Sequence, residues 1–166
     1  IDLDHWWPAP RAGLVSALLT KGDRAAAVKS AQDAVAILPG SPDIQIVLGK
    51  ALDNTGASDR ALQVFQTTHQ AHPGNIGSSL ALGKALQNRS QWTDAEQIFQ
   101  QGITLTPGDA RNYSALAGLY QAQGRFPVAE AEYHKAIGVD QTFSETYLGL
   151  GRLLATEARF TEALTT

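Results

Sequence analysis

His69 and His72, three residues apart, are a pair whose type and spacing could do chemistry. On one turn of helix their imidazoles could share a metal ion, but a zinc site needs further ligands. No histidine or cysteine cluster supplies them. The absence of cysteine also removes disulfides, thiolate metal sites and thiol nucleophiles. His69 stands 34 residues from Val35 and from Ile103, so a packed histidine is expected there. His72 falls near a helix C-terminus, where positive charge is favoured. Gly149-Leu150-Gly151 is a fragment of a dinucleotide glycine motif, but it follows no strand. There is no phosphate loop, no nucleophile beside its base and no carboxylate pair in an apolar setting. Asn88-Arg89-Ser90 and Asn112-Tyr113-Ser114 match the glycosylation acceptor pattern, the second inside an expected helix. The expectation is no enzyme, no cofactor and no metal.

The chain that must position these residues has 166 of them, 43% hydrophobic and 17% charged, which is the composition of a folded domain. Its net charge of −3 argues against bulk nucleic-acid affinity. No apolar run reaches the length of a membrane span, so direct membrane insertion is not expected. The N-terminus lacks a charged segment followed by an apolar core, the pattern of a signal peptide. The chain has no methionine, and it reads as a piece of a longer protein. Cytoplasm and periplasm both remain open.

A 34-residue frame organises everything else. Leu82-Gly83-Lys84-Ala85-Leu86 returns as Leu48-Gly49-Lys50-Ala51-Leu52 and as Leu116-Ala117-Gly118-Leu119-Tyr120. Pro39, Pro73 and Pro107 recur at the same step. One column reads Leu14, Leu48, Leu82, Leu116, Leu150, and the next reads Val15, Gly49, Gly83, Ala117, Gly151. Small residues there suit helices in close approach. Another column is alanine five times, at Ala27, Ala61, Ala95, Ala129 and Ala163. Ala31, Phe65, Phe99 and Tyr133 fill the space between hairpins. Each unit holds two helices separated by a break, at Gly22, Gly56, Asn88-Arg89-Ser90 and Gly124. Ser41 and Asp109 are placed to cap helices, with Pro42 at a first helical position. We divide a single array, 1–166, into the tail of a preceding repeat (1–7), full repeats 8–41, 42–75, 76–109 and 110–143, and a truncated fifth, 144–166.

These columns and their period resemble the tetratricopeptide repeat family over essentially the whole chain. The aromatic often found early in the first helix is present as Tyr113 and Tyr147, with Arg11, Gln45 and Ser79 elsewhere. Gln141 replaces the turn proline of the fourth unit. The resemblance implies an all-α, right-handed superhelical solenoid of antiparallel helix pairs. It also implies that the first helices line a concave groove that binds a peptide or protein.

On that reading the groove carries Lys50, Asp53, Asn54, Lys84, Gln87, Asn88, Arg111, Gln121 and Arg152. Amines flanked by amides could hold acidic side chains or a terminal carboxylate. The alternative is a solvated polar face, because Asp43, Asp53 and Glu145 dilute the positive field. One subtype of the family grips a partner's terminal carboxylate with a lysine and asparagine, then an asparagine, then a lysine and arginine. In the register that uses Lys50 those places hold Ile46 and Lys50, then Ala81, then Arg111 and Ala115. The other two registers match no better, so chaperone-tail binding is not expected. Two further readings stand beside the scaffold. One is an accessory array of a larger bacterial assembly or enzyme, as family members serve polysaccharide export, pilus assembly and glycosyl transfer. The other is end-to-end self-association through uncapped repeats, with Trp6 and Trp7 near one end and Leu164 near the other.

Overall fold

The computed structural model describes residues 8–156, and side chains from 11 onward. The described residues form helices joined by tight turns: α1 Pro8–Lys21, α2 Arg24–Ile37, α3 Pro42–Asn54, α4 Ser58–Ala71, α5 Ile76–Asn88, α6 Trp92–Leu105, α7 Ala110–Ala122, α8 Phe126–Val139 and α9 Ser144–Thr156. They build two compact units, Ile1–Ala85 and Leu86–Thr166, with α5 beginning in one and ending in the other. In the first unit α1 packs on α2, α2 on α3 and α3 on α4, and α1 also meets α3. In the second the same pattern links α6 to α7, α7 to α8 and α8 to α9, with α7 against α9. First helices therefore neighbour first helices within each unit.

The turn inside each repeat has one mechanism. Asp23 N–H donates to the Leu18 carbonyl at 2.9 Å, Ala57 to Leu52 at 3.0 Å, Gln91 to Leu86 at 3.0 Å and Arg125 to Tyr120 at 2.9 Å. Each bond closes a six-residue loop over a residue of left-handed backbone, which satisfies an orphan carbonyl at the helix end. That residue is Gly22, Gly56 and Gly124 in the first, second and fourth full repeats and Ser90 in the third, at φ 59°. The turns between repeats are held by caps. Ser41 accepts from the Ile44 N–H, and Asp109 from the Arg111 N–H. Where Gln141 replaces proline, Asp140 accepts from both the N–H and the hydroxyl of Thr142, at 2.8 and 2.7 Å.

The early-helix aromatic also has a stand-in. Tyr113 donates its hydroxyl to the Pro107 carbonyl, and Gln45, at the same register, donates its amide to the Pro39 carbonyl. Ser79 is too short for this, and its buried hydroxyl has no partner among the described residues.

Small residues decide how closely helices approach. A Cβ at Gly49 would overlap the buried Phe65 ring. Gly151 holds the same register, yet nothing described lies within 4 Å of its Cβ position. The matching ring elsewhere stands 16 residues on, as Phe65 does from Gly49, and here that place lies beyond the described residues. Ala27, Ala61, Ala95 and Ala129 are fully buried, while Ala163 lies outside the described residues. Between repeats, a second column runs through Ile44, Ser78, Asn112 and Thr146, none of them exposed. By register they face Ala34, Thr68, Gly102 and Ala136 of the preceding repeat. Asn112 presses so closely on α6 that a Cβ at Gly102 would lie 2.6 Å from its amide. Both polar atoms of that amide are buried without a partner among the described residues.

Candidate binding faces

The candidate metal pair resolves into packing. His69 is buried, and its Nδ1 lies 3.2 Å from the Ser78 hydroxyl. That hydroxyl also lies 3.0 and 2.7 Å from the carbonyls of His72 and Asn75, so its one proton binds the turn after α4 to the same buried joint. Among the described residues no three potential ligands gather at one point. Asn112 is fully buried, so its acceptor pattern is sealed in the folded chain, whereas Asn88 is exposed at the end of α5.

In the first unit, Lys50, Asp53 and Asn54 all lie exposed on the last turns of α3. The Asn54 amide donates to the Lys50 carbonyl at 2.9 Å, so it closes its own helix. Asp53 accepts from the Ser58 hydroxyl at 2.8 Å and holds the α3–α4 turn. Lys50 forms no ion pair among the described residues, which leaves its ammonium facing solvent. Lys84 is exposed on α5. The neighbouring first helices are close, because a Cβ at Gly77 of α5 would lie 3.2 Å from Ile46 of α3.

In the second unit, Gln87 is half-buried and Asn88 exposed. Arg111 lies at the rim of an open depression with Asp109, Asp140 and Phe143. Its guanidinium is committed to Asp109, with contacts of 2.7, 2.9 and 3.2 Å. Those hydrogen bonds hold the Asp109 carboxyl below its usual range, against the opposing effect of burial. Arg111 therefore stabilises a turn and brings little net charge to the face. Gln121, half-buried on α7, accepts a hydrogen bond at 3.0 Å from the hydroxyl of Tyr133. Arg152 is exposed on α9 and makes no ion pair among the described residues.

The Tyr133 hydroxyl is a feature that the sequence columns hide. They assign Tyr133 to packing, and its ring is indeed 4% exposed. Its oxygen, however, reaches the boundary of α7 and α9, where a Cβ at Gly149 would lie 2.6 Å away and one at Gly118 3.7 Å. A signal for it is present, since Ala31, Phe65 and Phe99 carry no oxygen in that column. Burial pushes the Tyr133 phenol up, and the Arg152 charge opposes the shift. Tyr120 carries another hydroxyl, but it serves the joint between helices. It donates to Glu96 at 2.8 Å, with the Arg125 guanidinium 4.3 Å from its ring centre.

Stacked antiparallel helix pairs, repeated every 34 residues and exposing polar and small residues on their first helices, define a helical-repeat solenoid of the protein-interaction class. The chain belongs to the tetratricopeptide repeat family: one model of the repeat matches residues 13–76 and 114–166, and another matches 56–120. TTC0263, a thermophilic TPR protein of Thermus thermophilus, superimposes with a TM-score of 0.79 at 21% identity, over 95% of this chain and 86% of that one. PilF of Pseudomonas aeruginosa gives 0.73 at 18% identity, over 95% and 72%. MamA from residue 41 onward, of Desulfovibrio magneticus RS-1, gives 0.64 at 20% identity, over 95% and 89%. At these identities the likeness is one of fold. Among curated proteins none matches the chain in sequence. No helix among the described residues is long and apolar enough to cross a membrane.

Proposed function

We propose that this chain is a non-catalytic scaffold that binds a protein or an extended peptide along the exposed faces of its first helices. One observation carries the reading. In each unit the first helices bury one side and leave the other lined with small residues and cations, Lys50 in the first and Arg152 in the second. Small residues let a partner's main chain approach, and unpaired cations select acidic groups on it. Nothing in this reading calls for chemistry. TPR proteins in general act as scaffolds, and TPR repeats cover the chain.

The test is capture from a lysate of the source cells, read by mass spectrometry. The native chain is compared with one carrying Lys50→Glu, Lys84→Glu and Arg152→Glu, after both are shown to melt alike. A partner held by the native chain and lost by the variant supports the reading. The same partner held equally by both moves the binding surface off these faces.

A second reading has its own observation. Leu14 is 53% exposed and Leu48 half-buried, whereas Leu82, Leu116 and Leu150 in their column are buried. Among the described residues α1 thus offers apolar surface, and this favours self-association through α1. Light scattering against concentration tests it, and a strictly monomeric chain counts against it.

A further inference from the structure

The Tyr133 hydroxyl calls for an explanation that packing does not give. The ring fills the space between α7, α8 and α9, and a phenylalanine would fill it equally, as Phe65 and Phe99 do in their repeats. The oxygen is needed only if the place it reaches is polar. That place is a surface: Gly118 and Gln121 on α7 and Gly149 on α9 are half-exposed, and Arg152 is exposed one turn beyond Gly149.

The donors and acceptors there are countable. Tyr133 donates its single proton to the Gln121 carbonyl oxygen. This fixes the amide orientation and leaves the two Gln121 N–H donors for something else. The Tyr133 oxygen keeps lone pairs that can accept. Arg152 adds a planar cation with five N–H donors. On the described part of α9 the nearest carboxylate, Glu145, lies two turns away, roughly 10 Å along the helix. Arg111 is neutralised by Asp109. Among the described residues on these two helices the charge at this place is therefore that of Arg152. Gly118 and Gly149 present no Cβ, and anything larger at Gly149 would collide with the Tyr133 ring, 2.5 Å away. Beside them Leu148 projects, 54% exposed.

We propose that Gln121, Tyr133 and Arg152, over the bare backbone of Gly118 and Gly149, form a subsite for an aspartate or glutamate side chain on an extended partner segment. The carboxylate meets the Arg152 guanidinium and a Gln121 N–H, and the segment's own backbone N–H donates to the Tyr133 oxygen. Its main chain crosses the two glycines, and a neighbouring apolar side chain lies on Leu148. A single arginine with neutral donors suits a charge of one; a phosphate would call for a cluster of arginines. The proposal rests on the reading that this chain binds peptide on its first helices, and it names which chemistry the second unit selects.

The experiment uses the whole chain. A displayed library of random decapeptides is selected on it, and the best binder is synthesised with blocked ends. Its footprint is mapped by amide chemical shifts on isotope-labelled protein. The expected footprint includes Gly118, Gln121 and Gly149, with an acidic residue fixed at one peptide position. Replacing that residue by its amide, or making Arg152→Gln, weakens binding about tenfold or more, as loss of a charge-assisted bond should. The two changes together weaken it little further. Tyr133→Phe, which keeps the packing, weakens binding about threefold; if that variant does not fold, the exposed Arg152→Gln still decides. A binder on the first helices that is indifferent to the acidic residue overturns the subsite and leaves the scaffold reading standing. So does a footprint confined to Lys50 and Lys84. No enriched peptide, or a footprint away from the first helices, overturns both.

Discussion

Asn112→Leu should make this chain more stable. Asparagine and leucine branch alike at Cγ, but leucine is bulkier, so the replacement tightens the fit against Gly102. The larger change is in polarity. The Asn112 amide is fully buried, and neither its nitrogen nor its oxygen has a hydrogen-bond partner among the described residues. A buried polar group left unpaired costs about 1–3 kcal/mol. Two methyl groups in place of the amide remove that cost at both the nitrogen and the oxygen, about 2–6 kcal/mol together, against an overpacking penalty of about 1–3 kcal/mol. The net expectation is a gain of about 1–2 kcal/mol, which in a chain of this length raises the melting temperature by roughly 2–8 °C. Thermal melts followed by circular dichroism measure it. The companion change is Gly102→Ala. Its new Cβ would sit 2.6 Å from the Asn112 amide, so it should cost about 1–3 kcal/mol by overpacking. Paired with Asn112→Thr, which copies the register of Ala136 and Thr146, most of that cost should vanish. A coupling of about 1 kcal/mol or more between the two sites is therefore expected. If Gly102→Ala costs the same beside Asn112 and beside threonine, or if Asn112→Leu lowers the melting temperature, the account of this joint is wrong.

Three further outcomes follow from local geometry. Ser90→Gly should stabilise by about 0.5–1 kcal/mol, because Ser90 holds a left-handed backbone at φ 59° that glycine adopts freely; urea unfolding measures it. Gly49→Ala should destabilise by about 1–3 kcal/mol through collision with Phe65, and parallel melts of the two chains check it. Asp109→Ala should cost about 1 kcal/mol at neutral pH by removing a helix cap. The Asp109 carboxyl is held below its usual range by Arg111, so its contribution is complete above about pH 4 and fades as pH falls through the depressed folded value. Melts of the native chain and Asp109→Asn should converge in acid, and a gap that persists there would refute the charge assignment.

The repeat, the helix pairs and the caps were legible because each depends on residues near in sequence or on a fixed period. Ser41 caps α3 and Asp109 caps α7 through their own following N–H groups. What stayed illegible depends on side-chain reach across helices. Nothing in Gln45 announces that it reproduces the bond of Tyr113 to a turn carbonyl, because the two share length and not chemistry. Asn112 stands out in the sequence for its acceptor pattern, but its place is set by a glycine ten residues earlier. The candidate face divides in the same way. Exposure of Lys50, Lys84 and Arg152 follows from the register next to the small-residue column. That Arg111 and Asp53 are tied to their own turns requires the path of the loop, which no period encodes.

The joint between Gly102 and Asn112 also bears on how such an array can change its length. Repeats are commonly pictured as interchangeable beads. Here each second helix carries a socket and each following first helix a plug, and the sizes differ from joint to joint: alanine with isoleucine, threonine with serine, glycine with asparagine, alanine with threonine. Excising residues 76–109 would set Thr68 against Asn112, two side chains where one fits. Excising 110–143 would set Gly102 against Thr146 and leave a void. The order of the repeats is thus written into the joints, so duplication or loss of a repeat in this chain must bring a compensating change at the neighbouring seam.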